Sequence, residues 1–430
     1  MGNKYSKQIT SKILLLTCWG LAPLFGFDFQ VSGQASSFSK IGFDTRKYNP
    51  QKGVYPTESY ATMLGELDLH LNLANHLNIT LGGMINTIVY DSTIYQSGEP
   101  LASAYIGYWA THSGQDLKDP RFAMVHNAYI SYEYNDMFGF KAGRYETQGY
   151  DWFSAFNQGG EAYVKLYDTK AWILFSDARA SAYNDWFWPY GRYYTSGAPL
   201  IAEGIIYTKN GWSISPYIYH ILENMNAPGF NISFDSNPDF ASEGFRSSTT
   251  LVALFPFYQG VSASSRDTIV FNQPLGKSAQ TLFIKQHFDI NNYHFGAIIY
   301  KNFGNANGKI GIYGDPITYN IWTGSIYDLG TSLSNMVGKD ALSGFLYVGA
   351  HYQSFKWQLL GRLTTSPRAD EQSLALYLSY VFDKHISTGL KIEYFKDTTH
   401  KGYTIGTGPI LQNNNTSDRS HMMMHITYAF

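Results

Sequence analysis

Apolar and polar side chains alternate along most of the chain, from residue 27 to residue 430. In residues 66–73 every odd position is Leu and every even position is polar, and similar alternation recurs in 357–363 and 386–394. A period of two places successive side chains on opposite faces of a strand. The pattern therefore predicts many strands, each with one apolar and one polar face.

The lengths of the connections between these strands indicate how they are arranged. Tight breaks are predicted at 74–76, 135–136, 167–169, 209–211, 258–260, 290–292, 353–355 and 383–385. Longer links are predicted at 44–59, 91–122, 148–158, 179–200, 222–245, 304–342 and 397–419, with two shorter ones at 274–279 and 365–371. Eight breaks and nine links join 18 strands. An even strand number, with turns at one rim and loops at the other, is typical of bacterial outer-membrane barrels.

The expected fold is therefore all-β: one transmembrane antiparallel β-barrel of about 18 strands over residues 27–430, with short periplasmic turns and long extracellular loops. In lipid every backbone amide must be paired internally, so a sheet can span only by closing on itself. The location expected from this is the outer membrane of a Gram-negative cell, with membrane lipid as the barrel's surroundings.

The C-terminal segment has the features of a closing strand. Met422, Met424, Ile426, Tyr428 and Phe430 share one face. A terminal Tyr-x-Phe resembles the assembly signal of outer-membrane proteins, so Phe430 is expected to engage the barrel assembly machinery. Residues 27–33 alternate in the same way and are expected to pair with this strand. The pattern leaves open whether the barrel is a monomer or a trimer.

The N-terminal residues 1–26 are predicted to be a signal peptide. Lys4, Lys7 and Lys12 precede an apolar stretch at 13–25, which matches the basic and apolar regions of a secretory signal. This stretch is shorter than the ~20 residues that a membrane helix requires.

Composition narrows the possible functions. Charged residues make up 15% of the chain and aromatic residues 17%, and the net charge is −2. These values argue against a disordered chain and against a nucleic-acid-binding protein. Cys18 is the only cysteine, which excludes a disulfide framework. Because catalytic and metal-binding sequence motifs are lacking, we expect no metal, no cofactor and no enzymatic activity.

The polar faces of the strands give candidates for the lining of the barrel. Eighteen strands enclose a bore of roughly 35 Å, which side chains alone cannot fill. The expected pore-lining residues are Glu66, Asp68, His70, Lys141, Glu161, Lys165, Lys285, Lys356, Arg362, Lys391 and Glu393, with His287 beside them. Facing charges of both signs favour polar or charged solutes over apolar ones. The loops are expected to set the aperture: the link at 304–342 is the longest and is expected to fold inward, and 91–122 is the other candidate.

Three sequence features resemble a known family. They are Leu67-Asp68-Leu69-His70-Leu71-Asn72, Phe138-Gly139-Phe140-Lys141-Ala142-Gly143-Arg144 and the terminal Ile426-Thr427-Tyr428-Ala429-Phe430. With the strand count, they resemble the OprD-like substrate-selective porins and, more narrowly, the Hof family of Helicobacter outer-membrane proteins. The resemblance implies passive uptake of small solutes. The chain departs from the basic ladder of OprD-like pores, because acidic residues alternate with Lys and Arg.

Two other functions fit the same sequence features. An outer-membrane adhesin would bind host cells through loops such as the aromatic segment 184–194 or 222–245. An outer-membrane hydrolase would need a catalytic triad at the rim or in the lumen of the barrel.

Overall fold

Strands dominate the structure. The computed structural model describes residues 28–102, 122–182, 187–192, 198–267, 271–310, 314, 322–328 and 333–430. In these ranges the strands are β1 (Asp28–Gly42), β2 (Tyr60–Ala74), β3 (Leu77–Asp91), β4 (Ala123–Tyr134), β5 (Phe138–Tyr150), β6 (Phe153–Leu166), β7 (Thr169–Ala182), β8 (Phe187–Gly191), β9 (Leu200–Lys209), β10 (Trp212–Ile221), β11 (Met225–Asp235), β12 (Phe245–Leu254), β13 (Phe257–Tyr258), β14 (Gln280–Ile290), β15 (Tyr293–Phe303), β16 (Leu342–Tyr352), β17 (Phe355–Thr365), β18 (Ala369–Val381), β19 (Ile386–Thr399), β20 (Asn415–Asp418) and β21 (His421–Ala429).

The helical elements are short. They are α1 (Thr93–Ser97), α2 (Gly260–Ser264) and two 3₁₀ turns at Pro50–Lys52 and Asn335–Val337. Over the ranges given above, no helix combines the length and the apolar character that a membrane-crossing helix requires.

Eighteen of the strands form a closed antiparallel barrel. Each pairs with the next along the chain, except that β7 pairs with β9, β12 with β14 and β19 with β21. The short strands β8, β13 and β20 extend the barrel edges locally. The barrel closes where β1 pairs with β21 over Gln34–Gly42, and Gly33 and Phe430 exchange backbone hydrogen bonds of 3.1 and 3.0 Å. The predicted fold and strand number are confirmed, although β1 pairs with β21 through residues 34–42 and not through the predicted 27–33, where Gly33 alone of the described residues bonds to Phe430.

Short connections collect at one end of the barrel, which we call the turn rim, and longer ones at the opposite end, the loop rim. Seven predicted breaks are confirmed as connections of two to four residues at the turn rim. The eighth, 258–260, is wrong, because it lies within the link 255–279 at the loop rim. The remaining turn-rim connection is instead 236–244, between β11 and β12.

Two predicted links are wrong because strands run through them. Within 222–245, β11 contains Pro228 and Gly229, which are common in turns. Gly229 is nevertheless needed in the strand, because a Cβ there would lie 2.5 Å from the ring of Tyr217. Within 148–158 only residues 151–152 connect β5 to β6. Steric fit between neighbouring strands overrides the local turn signal at Gly229.

The two faces of the barrel are sorted as the alternation predicted. Leu67, Leu346 and Leu363 point outward and are 55%, 71% and 66% exposed. Their chain neighbours Glu66 and Arg362 point inward. The register preserves this sorting between strands, since Arg362 lies opposite Ser373 and Glu66 lies opposite Gln34.

Candidate functional site

The described residues of the link between β15 and β16, 304–310, 314, 322–328 and 333–341, fold into the barrel, and we call them the inward link. Asn305, Asn307, Thr323, Asp328 and Asn335 of this link are all at most 1% exposed. Links at a rim are normally exposed to water, so this burial means that the barrel wall surrounds the link. The expectation that 304–342 folds inward therefore holds. For the other candidate, 91–122, residues 103–121 lie outside the described part of the chain.

Buried ion pairs connect the inward link to the wall on the side of β17–β21. Asp328 Oδ1 lies 2.5 Å from Arg368 Nη2, and Asp328 Oδ2 lies 3.2 Å from Arg419 Nη2. Arg419 also pairs with Asp397 of β19 at 3.1 Å. Burial alone would raise the pKa of the Asp328 carboxyl, but the charges of Arg368 and Arg419 outweigh it and hold that pKa below its ordinary value.

A second set of buried contacts is formed by Ser334 and Asn335 of the inward link. Glu371 of β18 accepts hydrogen bonds from Ser334 Oγ and the Asn335 backbone N–H, both at 2.6 Å. It also forms an ion pair with Arg362 of β17. All of these polar groups are removed from water, so each needs the partner that the others supply.

The inward link also contacts the side of the barrel formed by β1 and the first loop. Glu58 pairs with Lys40 and accepts a 3.3 Å hydrogen bond from the Ile326 backbone N–H. Tyr327 donates a 2.9 Å hydrogen bond to Gln96 Oε1. Burial in the same region raises the pKa of the Tyr55 hydroxyl to about 12.

Gly314 of the inward link lies directly against the backbone of β6. A Cβ at Gly314 would be only 2.2 Å from Phe153 N. The inward link therefore approaches β6 as well as β1 and β17–β19, and it crosses the bore.

Apolar packing fills the half of the interior next to the loop rim. Leu333, Met336 and Val337 of the inward link belong to one buried cluster with the inward-facing side chains Phe283 and Phe345. The sequence predicted a uniformly polar lumen, and this is wrong for the loop-rim half of β7–β17, where many inward side chains belong to this apolar cluster.

The half of the interior next to the turn rim is polar and partly exposed. Lys141 Nζ lies 3.6 Å from Glu161 Oε1, and its side chain is 37% exposed. His287 receives or donates a 2.8 Å hydrogen bond at Tyr347 OH and pairs with Asp289 at 3.1 Å. A cavity of about 460 Å³ lies against the wall here, with His294, Gln358, Tyr377, Lys391 and His425 among its lining residues.

The predicted pore-lining residues occupy three environments. Lys165 and Lys356 are at the turn rim, where Lys165 pairs with Asp136. His70, Lys141, Glu161 and Lys285 face the partly exposed half, and His70 contacts Ser32 and Thr80. The others are in tight clusters: Glu66 with Asp68, Arg362 with Glu371, and Lys391 with Glu393 at 2.5 Å. That each lines a permeation path stays a prediction.

Several residues of the interior network escaped the sequence analysis. Glu371 and Asp397 occupy inward positions of their strands, so strand alternation was a signal that could have found them. Asp328 and Arg368 are in connections, where side-chain direction has no fixed period. The β3–β4 register shifts between Gly82 and Gly83. Because alternation along β4 is interrupted there, it did not predict that the His126 side chain points inward.

The aromatic segment 184–194 is only partly described, over residues 187–192. Phe187 is fully buried and packs with Leu64 and Met84, which face the lumen. Tyr190 donates a 2.8 Å hydrogen bond to the His126 carbonyl. Trp188, by contrast, is 41% exposed.

Comparison with known structures identifies the same architecture. Acinetobacter baumannii OccAB3 superposes with a TM-score of 0.65 at 8% identity, covering 94% of this chain and 99% of the other. Acinetobacter baumannii OccAB1 gives a TM-score of 0.63 at 10% identity, with coverages of 94% and 96%. Pseudomonas aeruginosa OpdK, in its structure with vanillate, gives 0.62 at 9% identity, with coverages of 94% and 98%. This likeness shows the fold of the OprD-like Occ porins.

Sequence comparison identifies the family. No curated protein sequence matches the chain. The family model described as "Putative outer membrane protein" (HP_OMP_2) matches residues 13–430. The narrower resemblance to the Hof proteins of Helicobacter is consistent with the name of this family. The chain belongs to this family of outer membrane proteins and crosses the outer membrane as an 18-stranded barrel.

Proposed function

We propose that this protein is a channel through which small polar or charged solutes cross the outer membrane by passive diffusion. The observation that carries the proposal is the division of its interior. The half next to the turn rim presents partly exposed charges such as Lys141, whereas the other half is narrowed by the inward link. A wide polar vestibule that leads to a constriction is an arrangement suited to selecting solutes by size and charge.

The pairing of opposite charges inside the barrel supports a weak rather than a strong selectivity for the charge of the solute. OpdK was crystallised with vanillate, an aromatic carboxylate. In this chain Lys40, Arg362, Arg368, Lys391 and Arg419 each contact a carboxylate of the wall, the first loop or the inward link. Since neutralised cations attract anionic solutes weakly, we propose that small polar solutes of either charge are admitted and that carboxylates are not specifically favoured.

The proposal is tested by recording from single channels. The mature chain, purified and folded in detergent, is added to a planar lipid bilayer in KCl. We expect discrete conductance steps, and a reversal potential in asymmetric KCl that indicates only a small preference for one ion. If folded protein inserts into the bilayer and conducts no ions, the channel proposal is wrong.

Size selection is measured with the same preparation in liposomes. Swelling rates in isosmotic solutions of neutral sugars of increasing size should decline steeply, because the inward link occupies the bore. Empty liposomes and liposomes with heat-unfolded protein are the controls. Equal rates for monosaccharides and for oligosaccharides would contradict a constriction at the inward link.

A further inference from the structure

Three side chains with metal-binding atoms converge on the inner wall of the barrel. Glu66 and Asp68 lie two residues apart on β2, and His126 lies on β4, with β3 between them. One ligand atom from each lies within 4.8 Å of the others. His126 Nε2 is 3.2 Å from Glu66 Oε1, 3.2 Å from Asp68 Oδ1 and 3.3 Å from Asp68 Oδ2.

An ion pair between a protonated His126 and the two carboxylates brings the same atoms together, but its hydrogen bonds would be shorter and more directional. One N–H of an imidazole points in one direction, whereas three oxygens of two carboxylates are almost equally far from Nε2. Charge-assisted N–H···O bonds are also shorter, about 2.7–2.9 Å. Around a Zn²⁺ ion with bonds of about 2.0–2.2 Å, octahedral or tetrahedral angles separate neighbouring ligand atoms by about 2.8–3.6 Å. The three distances from His126 Nε2 to the carboxylate oxygens, 3.2–3.3 Å, lie within this range.

A β-bulge creates this convergence. The β3–β4 register shifts between Gly82 and Gly83, so His126 and the next residue, Asn127, both reach Asp68. Bulges re-aim side chains in this way. Gly82 leaves the necessary space, since a Cβ there would lie 1.9 Å from Asp68 Oδ1 and 2.8 Å from His126 Cε1.

Neighbouring groups hold the three side chains in place. Gln34 Nε2 donates a 2.7 Å hydrogen bond to Glu66 Oε2, which leaves Oε1 directed at His126. The Phe156 ring packs edge-on against the His126 imidazole, with 5.2 Å between ring centroids. His126 is fully buried. His126 Nδ1 has no hydrogen-bond partner in the described part of the chain, so packing against Phe156, and not a hydrogen bond at the second ring nitrogen, orients this imidazole.

Asn127 offers a further ligand atom. Its Nδ2 lies 2.7 Å from Asp68 Oδ1, while its Oδ1 is buried and receives no hydrogen bond from any residue in the described ranges. The two ends of an amide exchange places by a rotation of 180°. That rotation would bring Oδ1 beside the carboxylates, where an oxygen is repelled in the absence of a cation and is a ligand in its presence.

We propose that Glu66, Asp68 and His126 bind one divalent transition-metal ion of the Zn²⁺ type, with Asn127 as a further oxygen donor. Two carboxylates supply the two negative charges that such an ion requires. The imidazole nitrogen favours Zn²⁺ and its neighbours over Mg²⁺ and Ca²⁺, which prefer oxygen ligands alone.

Zinc binding is measured on the untagged mature protein, folded in detergent and stripped of metal with EDTA. Titration with ZnCl₂, with bound metal counted after dialysis, should give one Zn²⁺ per chain that excess Mg²⁺ does not displace. Glu66→Gln, Asp68→Asn and His126→Gln should each weaken binding at least tenfold. The matched controls Glu161→Gln and His287→Gln, which alter inward residues of other pairs, should leave it unchanged. Heat-dependent mobility in SDS gels verifies that each variant is folded.

Two glycine variants test the site without removing a ligand. Gly82→Ala should displace the Asp68 carboxylate and weaken Zn²⁺ binding at least tenfold. Gly83→Ala should not, since the nearest contact of its Cβ, Met124 O, is 3.8 Å away. Absence of stoichiometric binding by the folded wild type would overturn the proposal, as would equal losses in the ligand and control variants.

Discussion

Asp328 of the inward link and Arg368, between β17 and β18, form an ion pair with 2.5 Å between Oδ1 and Nη2. Both side chains are almost completely buried, at 1% and 3% exposure. Removal of one partner of a buried pair typically costs about 3–5 kcal/mol, because the other charge stays buried without compensation. The hydrogen bonds of the barrel wall are complete without this ion pair. We therefore expect loss of the pair to release the inward link from the wall and to leave the barrel folded.

Asp328→Asn should therefore raise single-channel conductance and increase current noise. Asp44→Asn is the matched control. It removes the same charge from an ion pair of the first loop, in which Arg46 is 61% exposed, so its conductance should equal that of the wild type. If Asp328→Asn leaves conductance unchanged in folded protein, the inward link does not control the aperture.

The same pair predicts how conductance depends on pH. The pKa of Asp328 is held below its ordinary value. The charged carboxylate therefore stabilises the contact between the inward link and the barrel wall at all pH values above about 3.9. This contribution is lost as the pH falls through the lowered pKa. The part of the conductance change that depends on Asp328, measured as the difference between the wild type and Asp328→Asn, should thus be steady between pH 7 and 5 and should change only below about pH 4. A difference that instead changes near neutral pH would contradict the role given to Asp328.

The orientation of β2 is tested by two lysine substitutions. Leu69 points outward, and Leu69→Lys should cost ~2–4 kcal/mol of barrel stability if it lies near the middle of the bilayer. Asn72 points inward and is exposed, so Asn72→Lys should be nearly neutral. Unfolding in urea of both variants, refolded in lipid vesicles, measures the difference. Equal penalties would show that the two faces are assigned wrongly.

The partly exposed charges near the turn rim should tune ion selectivity. Lys141→Gln leaves Glu161, 3.6 Å away, without its cation, and the reversal potential in asymmetric KCl should shift toward cation preference. Lys165→Gln removes the same charge at the turn rim, from an ion pair whose carboxylate, Asp136, is 66% exposed against 17% for Glu161. Because water and salt screen exposed charges, its shift should be smaller. A larger shift of the reversal potential for Lys165→Gln than for Lys141→Gln would show that Lys141 does not line the permeation path.

The role of the C-terminus in assembly is separable from its role in closure. Phe430→Ala preserves the backbone hydrogen bonds to Gly33, whereas deletion of residue 430 removes them. If the Phe430 ring engages the assembly machinery, both variants should reduce the amount of folded protein in outer membranes. Refolding of the purified chains in detergent, without that machinery, should be impaired by the deletion alone. Normal membrane levels of Phe430→Ala would exclude the ring as a signal.

The sequence alone determined the barrel. A period of two in the side chains specifies which face meets lipid, since a shift of one residue would invert every strand. Residues such as Leu67 and Glu66 therefore carried enough information to predict the strand faces, the strand number and the closure by β21. Strand positions were predicted wrongly at 148–158, at 258–260 and at Pro228 and Gly229, where close packing against Tyr217 keeps turn-forming residues in a strand.

Only the tertiary structure decided what lies inside the barrel. The inward link has no repeating pattern, so its contacts depend on distant charges such as the pairing of Asp328 with Arg368 and Arg419. The meeting of His126 with Glu66 and Asp68 depends on a one-residue bulge, which alternation cannot reveal. Periodicity encodes the direction of a side chain along one strand. Which side chains meet across the bore depends instead on register and on how the links fold.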